Sequence, residues 1–148
     1  MDCPIQLRIP AVAQTLKAKT ERLLAPLAQR EGLTSLQMCV LLHLYQADAP
    51  VGSVSQVTGM GQANASALCK KLEEAGYLTR VRSQADRRVV NLSLTQAGRE
   101  AVDRFRRGID RYVSLLDGVP KEQKEALARG VQAAEAILDY LYEQGKGE

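Results

Sequence analysis

At 148 residues, 45% of them hydrophobic and 25% charged, the chain has the length of one domain and enough apolar content to bury a core. Its net charge of +3 is modest, and its three cysteines, Cys3, Cys39 and Cys69, stand far apart without a CxxC pair, so neither a disulfide framework nor a structural zinc site is indicated. No apolar run is long enough to span a bilayer, and Met1 to Pro10 lacks the basic-then-apolar order of a signal peptide, so a cytoplasmic protein with no membrane partner is expected.

In chain order, residues 11–30 are expected to form a helix, because Val12, Leu16, Leu23, Leu24 and Leu27 recur at helical intervals. The next helix opens at Thr34. Gln37 follows at the distance a capping box requires, each side chain satisfying the other residue's free N–H, and Leu33 and Met38 stand where a hydrophobic staple closes the same end. The only histidine, His43, lies on this helix among Leu41, Leu42 and Leu44 and reads as a packed residue. Ser53 and Gln56 suggest a second capping box for a short helix over residues 53–58. Gly59-Met60-Gly61 breaks the chain, and a third helix runs from about Gln62 to Ala75, where Gly76 stops it.

At about 100° per residue, Ala65, Leu68, Cys69 and Leu72 fall on the core side of that third helix, and Ala63, Ala67, Lys70 and Glu74 on the other. The outward face is small and lightly charged, flanked by Asn64, Ser66 and Lys71. Small residues let a backbone approach a groove closely, and alanine can touch a thymine methyl. A plain surface helix rich in alanine for its propensity is the alternative.

The period then changes from helical to alternating: Leu78, Arg80 and Arg82 before a charged tip at residues 83–88, Val90, Leu92 and Leu94 after it. Period two predicts a hairpin. Between Gln62 and Ser93 six Lys or Arg face three Asp or Glu, so this segment alone matches the net charge of the chain, as suits a surface that meets phosphate. Residues 96–116 read as a long helix with Ala101, Val102, Phe105, Ile109, Tyr112, Val113 and Leu116 along one stripe. Pro120 suits the first position of a last helix that reaches about Glu143, striped by Leu127, Val131, Ala134, Ile137, Leu138 and Leu141.

The succession from Thr34 to Gly98 is what a winged helix-turn-helix requires. The expected fold is mainly α with a small β-hairpin wing: a winged helix-turn-helix over residues 34–98, carried by N- and C-terminal dimerisation helices over 11–30 and 100–143 in one domain spanning 1–148. Those terminal helices carry more apolar stripe than one small reader can cover. The surplus predicts a second copy in two-fold symmetry, with an intramolecular bundle as the alternative.

The residues Leu33-Thr34 with Gln37, Leu72 with Gly76-Tyr77-Leu78, Arg80, Asp86 with Arg88, and Leu94-Thr95 with Gly98 together resemble the MarR family of transcription regulators. The resemblance implies a homodimer that places the helix from Gln62 in the major groove of double-stranded DNA and the hairpin in the minor groove. It implies that Arg88 reaches DNA from the wing and that Asp86 holds the wing. Many members carry arginine where Ala67 stands, which moves the expected base contacts to Gln62, Asn64 and Ser66, with Lys70 beside them. The full expected set is Gln62, Ala63, Asn64, Ser66, Ala67, Lys70 and Lys71 on the helix, and Arg80, Arg82, Asp86, Arg87 and Arg88 on the wing.

The expected function is a transcription regulator, a repressor that binds a pseudo-palindromic operator and is released by a small aromatic or lipophilic effector. A thiol-based redox sensor using Cys3 is one alternative; a winged-helix module that binds another protein instead of DNA is the other. No enzyme is expected, since no glycine-rich phosphate loop follows a strand and no paired carboxylates form a site motif. No cofactor or metal is expected either.

Overall fold

The computed structural model describes residues 5–84, 86 and 88–146, with side chains from Arg8 onward. Its elements are α1 (Ile5–Gln29), α2 (Ser35–Gln46), β1 (Ala49–Pro50), α3 (Val51–Thr58), α4 (Gln62–Glu74), β2 (Leu78–Arg82), β3 (Val90–Leu94), α5 (Gln96–Leu115), a 3₁₀ turn (Leu116–Gly118) and α6 (Lys121–Gly145). The fold is mainly helical with a small antiparallel sheet, the winged helix-turn-helix expected from the sequence. Among the described residues no helix is long and apolar enough to cross a membrane.

Two compact units divide the chain, Met1–Ile109 and Asp110–Glu148. The first holds the core, in which Leu27 and Leu33 meet Met38, Leu41 and Leu44 of α2, Val54 of α3, Leu72 of α4, Leu92 of β3 and Phe105 of α5. Full burial of each such side chain is worth about 1.5–3 kcal/mol over exposure. The second unit, built mainly of α6, buries no residue of that helix within the single chain.

Local chemistry explains where the helices begin and end. Thr34 caps α2 through the capping box, its Oγ1 accepting the Gln37 N–H at 3.2 Å while Gln37 Oε1 accepts the Thr34 N–H at 2.9 Å. Leu33 and Met38 are both buried beside it. Helices α1 and α4 end alike. Gly32 takes φ +70° and Gly76 takes φ +82°. In each, the glycine N–H and the N–H after it turn back to carbonyls of the last turn, Gly32 to Gln29 and Leu33 to Ala28, Gly76 to Glu73 and Tyr77 to Leu72. This is the Schellman arrangement, which a side chain at the left-handed position would strain.

Four expectations need correction. Helix α1 starts at Ile5, not near residue 11, and contains Pro10 and Pro26. Pro10 is the sixth residue of this helix, where it lacks the N–H that would bond back one turn and its ring crowds the carbonyl four residues earlier. Helix α3 starts at Val51 with Pro50 as its cap, so Ser53 is no N-cap and the expected box with Gln56 does not form. Instead Ser53 Oγ donates to the Pro50 carbonyl at 2.8 Å and lies 3.0 Å from His43 Nε2. That contact ties α2 to α3, with His43 as a packed residue. Pro120 is likewise the cap of α6 and not its first residue.

The fourth correction is a third strand. Ala49 and Pro50 pair with Leu92 and Asn91, making the sheet order β1-β3-β2. Its two residues show no alternation, and Pro50, lacking an N–H, suits an edge.

Candidate nucleic-acid interface

Helix α4 presents two chemically different faces. Ala65, Cys69 and Leu72 are buried, with Leu68 half-buried beside them. Gln62, Ala63, Asn64, Ser66, Ala67, Lys70 and Lys71 are all exposed, so the seven helix residues singled out from the sequence share one accessible surface. Gln62 also reaches back toward the start of α3, its Nε2 lying 3.9 Å from where a Cβ on Gly52 would stand. Lys70 meets Glu74 one turn on at 3.8 Å, with both side chains well exposed.

The wing is a register-matched hairpin, with Leu78 opposite Leu94, Arg80 opposite Leu92 and Arg82 opposite Val90. Residues at paired positions share a face, so Arg80 emerges on the same side as buried Leu78. There its Nε donates to Glu73 Oε2 of α4 at 3.0 Å. Arg80 is thus joined to the helix, while Arg82 is exposed. Glu73 was not singled out from the sequence, where its neighbour Glu74 looks the same; only its pairing with Arg80 distinguishes it.

Asp86 folds the tip. Its Oδ1 accepts the Arg88 N–H at 2.9 Å, and its own carbonyl accepts the Val89 N–H at 2.9 Å. A carboxylate on the N–H two residues on is the Asx turn that aspartate favours. Ser83 N–H donates to the Val89 carbonyl at 2.9 Å and closes the turn from below. Arg88 is exposed, and no ion pair holds its guanidinium among the described residues. Arg87, also expected to meet DNA, lies outside the described residues.

Thr95 fixes the base of the wing. Its Oγ1 donates to the Gly76 carbonyl at 2.6 Å and accepts the Gly98 N–H at 3.1 Å, while its N–H donates to the Tyr77 carbonyl at 3.1 Å. One side chain therefore caps α5 and pins it to the end of α4. Tyr77 Oη in turn donates to the Glu31 carbonyl at 3.0 Å, and the Glu31 carboxylate accepts Arg104 Nε at 2.8 Å, a bond that raises the guanidinium's pKa further above its ordinary value.

Burial pushes both described thiols above the ordinary thiol range; for Cys69 the nearby Arg80 offsets this only partly. Cys3 lies outside the described residues. With less thiolate at neutral pH, Cys69 in the folded protein is expected to resist iodoacetamide near pH 7 and to react once urea unfolds the chain. Rapid alkylation without denaturant would show that α4 opens readily.

The family model described as MarR family matches residues 31–89, the segment from the end of α1 to the wing tip. No curated protein sequence matches the chain. Streptococcus pneumoniae FabT, solved in complex with DNA, is similar in fold, with a TM-score of 0.74 at 23% identity over 90% of this chain and 99% of that one. The Staphylococcus aureus MepR–DNA complex gives 0.72 at 17% identity over 86% and 96%. Apo MarR from Escherichia coli gives 0.69 at 20% identity over 90% and 98%. At these identities the likeness is one of fold.

Proposed function

We propose that this chain, whose segment 31–89 matches the MarR family model, is a DNA-binding transcription regulator of that family and not an enzyme. In this reading α4 enters the major groove and the wing reaches the minor groove of the same half-site. The observation that carries it is the exposed face of α4, where Ala63 and Ala67 leave room for close approach and Asn64 and Ser66 offer donors and acceptors to base edges. Lys70 and Lys71 flank that face for phosphate, and Arg88 stands exposed at the tip, where its guanidinium can reach a narrow minor groove.

The protein acts as a homodimer in the cytoplasm. Exposed Val12, Leu16, Val113, Leu127, Leu138 and Leu141 supply the apolar surface that a second copy would cover. Two-fold symmetry then calls for a pseudo-palindromic operator with half-sites about one helical turn, roughly 10 base pairs, apart. Repression is the reading we favour, with release by a small aromatic or lipophilic ligand that prefers one spacing of the two α4 helices over another; its effect is bounded by that difference in affinity.

Duplexes selected from a random pool, bound at two salt concentrations, test the reading. Asn64→Ala is expected to relax base choice at particular positions by roughly 1–3 kcal/mol per lost bidentate contact. Arg88→Ala is expected to remove a preference for A·T-rich flanks. Unchanged affinity and flank preference in Arg88→Ala would show that the wing does not touch DNA.

A further inference from the structure

Groove reading by α4 and the wing tip leaves the pair between Glu73 and Arg80, at the junction of those two elements, without a task. We infer that Arg80 presents its terminal guanidinium nitrogens to a DNA phosphate while Glu73 holds its Nε, which makes Glu73 a positioning residue for a contact it never makes itself. The inference rests on the DNA-reading function proposed above.

Three observations support it. Glu73 engages Arg80 through Nε, at 3.0 Å, and no other ion pair of Arg80 is found among the described residues. A guanidinium has five N–H donors in a rigid fork, so the four on its two terminal nitrogens are left for solvent or for a partner. Both side chains are about a third exposed, 37% for Arg80 and 36% for Glu73, so the pair sits at a rim open to a partner. An ion pair so exposed contributes little to folding, and stability alone is a weak reason for it.

The second point is position. Glu73 lies in the last turn of α4, where the negative end of the helix disfavours a carboxylate. It also adds negative charge beside a surface that must meet phosphate. A carboxylate in that place is better explained by what it orients than by its own charge.

Third, the register of the hairpin starts Arg80 on the side of buried Leu78 and Leu92. Left alone, its long side chain could settle against the hairpin in many rotamers. Held by Glu73, it stands at the seam of α4 and β2, the two elements that meet DNA in the proposed reading. Lys70 and Glu74 form a useful contrast, since their 3.8 Å pair is more exposed and an ammonium is a single point charge. Only the arginine fork can hold a carboxylate and a phosphate together along two of its edges.

The test uses the full chain and a duplex that the wild-type protein selects from a random pool. Arg80→Ala is expected to weaken binding about tenfold and to lower the slope of log affinity against log salt by about 1. Glu73→Gln, whose amide oxygen still accepts the Nε proton, is expected to stay within about threefold of wild type, whereas Glu73→Ala should lose about as much as Arg80→Ala and the double variant no more than either. One methylphosphonate per half-site should weaken wild type and leave Arg80→Ala unaffected, a readout that does not depend on how any Glu73 variant folds.

Tighter binding by Glu73→Ala would overturn the inference, because the carboxylate would then only neutralise Arg80. So would unchanged binding by Arg80→Ala, or the lack of any methylphosphonate position specific to Arg80. Failure of the wild-type protein to select any duplex would instead overturn the DNA-reading function itself.

Discussion

Gly98→Ala is expected to destabilise the protein by about 3 kcal/mol, against the usual sign for glycine in a helix, where alanine gains roughly 0.5–1 kcal/mol. A Cβ at Gly98 would stand on the Tyr77 carbonyl oxygen, with Leu94 Cδ2 at 3.2 Å. The obstacle is backbone, and that carbonyl already accepts the Thr95 N–H at 3.1 Å. Relief therefore requires α5 to move away from the base of the wing, which breaks the contacts that Thr95 makes to Gly76 and Gly98. Gly108→Ala is the control. Its new Cβ would meet the Leu27 Cδ2 atom at 2.8 Å, the end of a flexible side chain that can turn aside. Thermal midpoints check both, with Gly98→Ala expected roughly 10 °C below wild type and Gly108→Ala much nearer to it. A Gly98→Ala protein as stable as wild type would show that the base of the wing is not rigidly joined to α5.

Leu138→Asp or Leu141→Asp is expected to unfold the protein, not simply to split a dimer. Within one chain Leu138 is 55% and Leu141 53% exposed, and α6 buries nothing. Under the proposed homodimer these positions form a seam, and an aspartate there would bury an unpaired charge at a cost of several kcal/mol. A helix with so much uncovered apolar surface has little reason to persist alone in water. Sedimentation of wild type at micromolar concentration should give a single species at twice the chain mass, and circular dichroism of either variant should show lost helix. A helical, soluble monomer from either variant would mean that the fold does not depend on a seam through Leu138 and Leu141.

Much of the reader was legible from local chemistry. The Thr34–Gln37 capping box, the stop at Gly76 and the two faces of α4 each depend on residues within a turn of one another, and the structure has all three. The hairpin was legible because Val90, Leu92 and Leu94 alternate with Asn91 and Ser93 and a charged tip separates them from Leu78 to Arg82, although only Leu78 of that first strand is buried. Strand β1 was not, because two residues carry no period and their pairing with Asn91 and Leu92 is set some forty positions away. The start of α3 was misread because Ser53 and Gln56 have the spacing of a cap, while Pro50, with φ −68°, was already in the conformation that begins the helix. Glu73 escaped for a related reason. Its partner Arg80 lies across a turn, on another element.

Thr95 joins the end of α4 to the start of α5 and closes the base of the wing at the same time. The chain beyond Arg82 and before Val90 is consequently a short connection whose ends are pinned by the paired strands and, below them, by Thr95. Lengthening such a loop costs about 0.6 kcal/mol for each doubling, a slowly growing entropy that leaves the anchored helices where they are. Chains built on this plan are free to diverge in wing length while the reader helix keeps its seat, and an inserted peptide or reporter is best tolerated between Ser83 and Val89, beyond the last paired residues of the two strands.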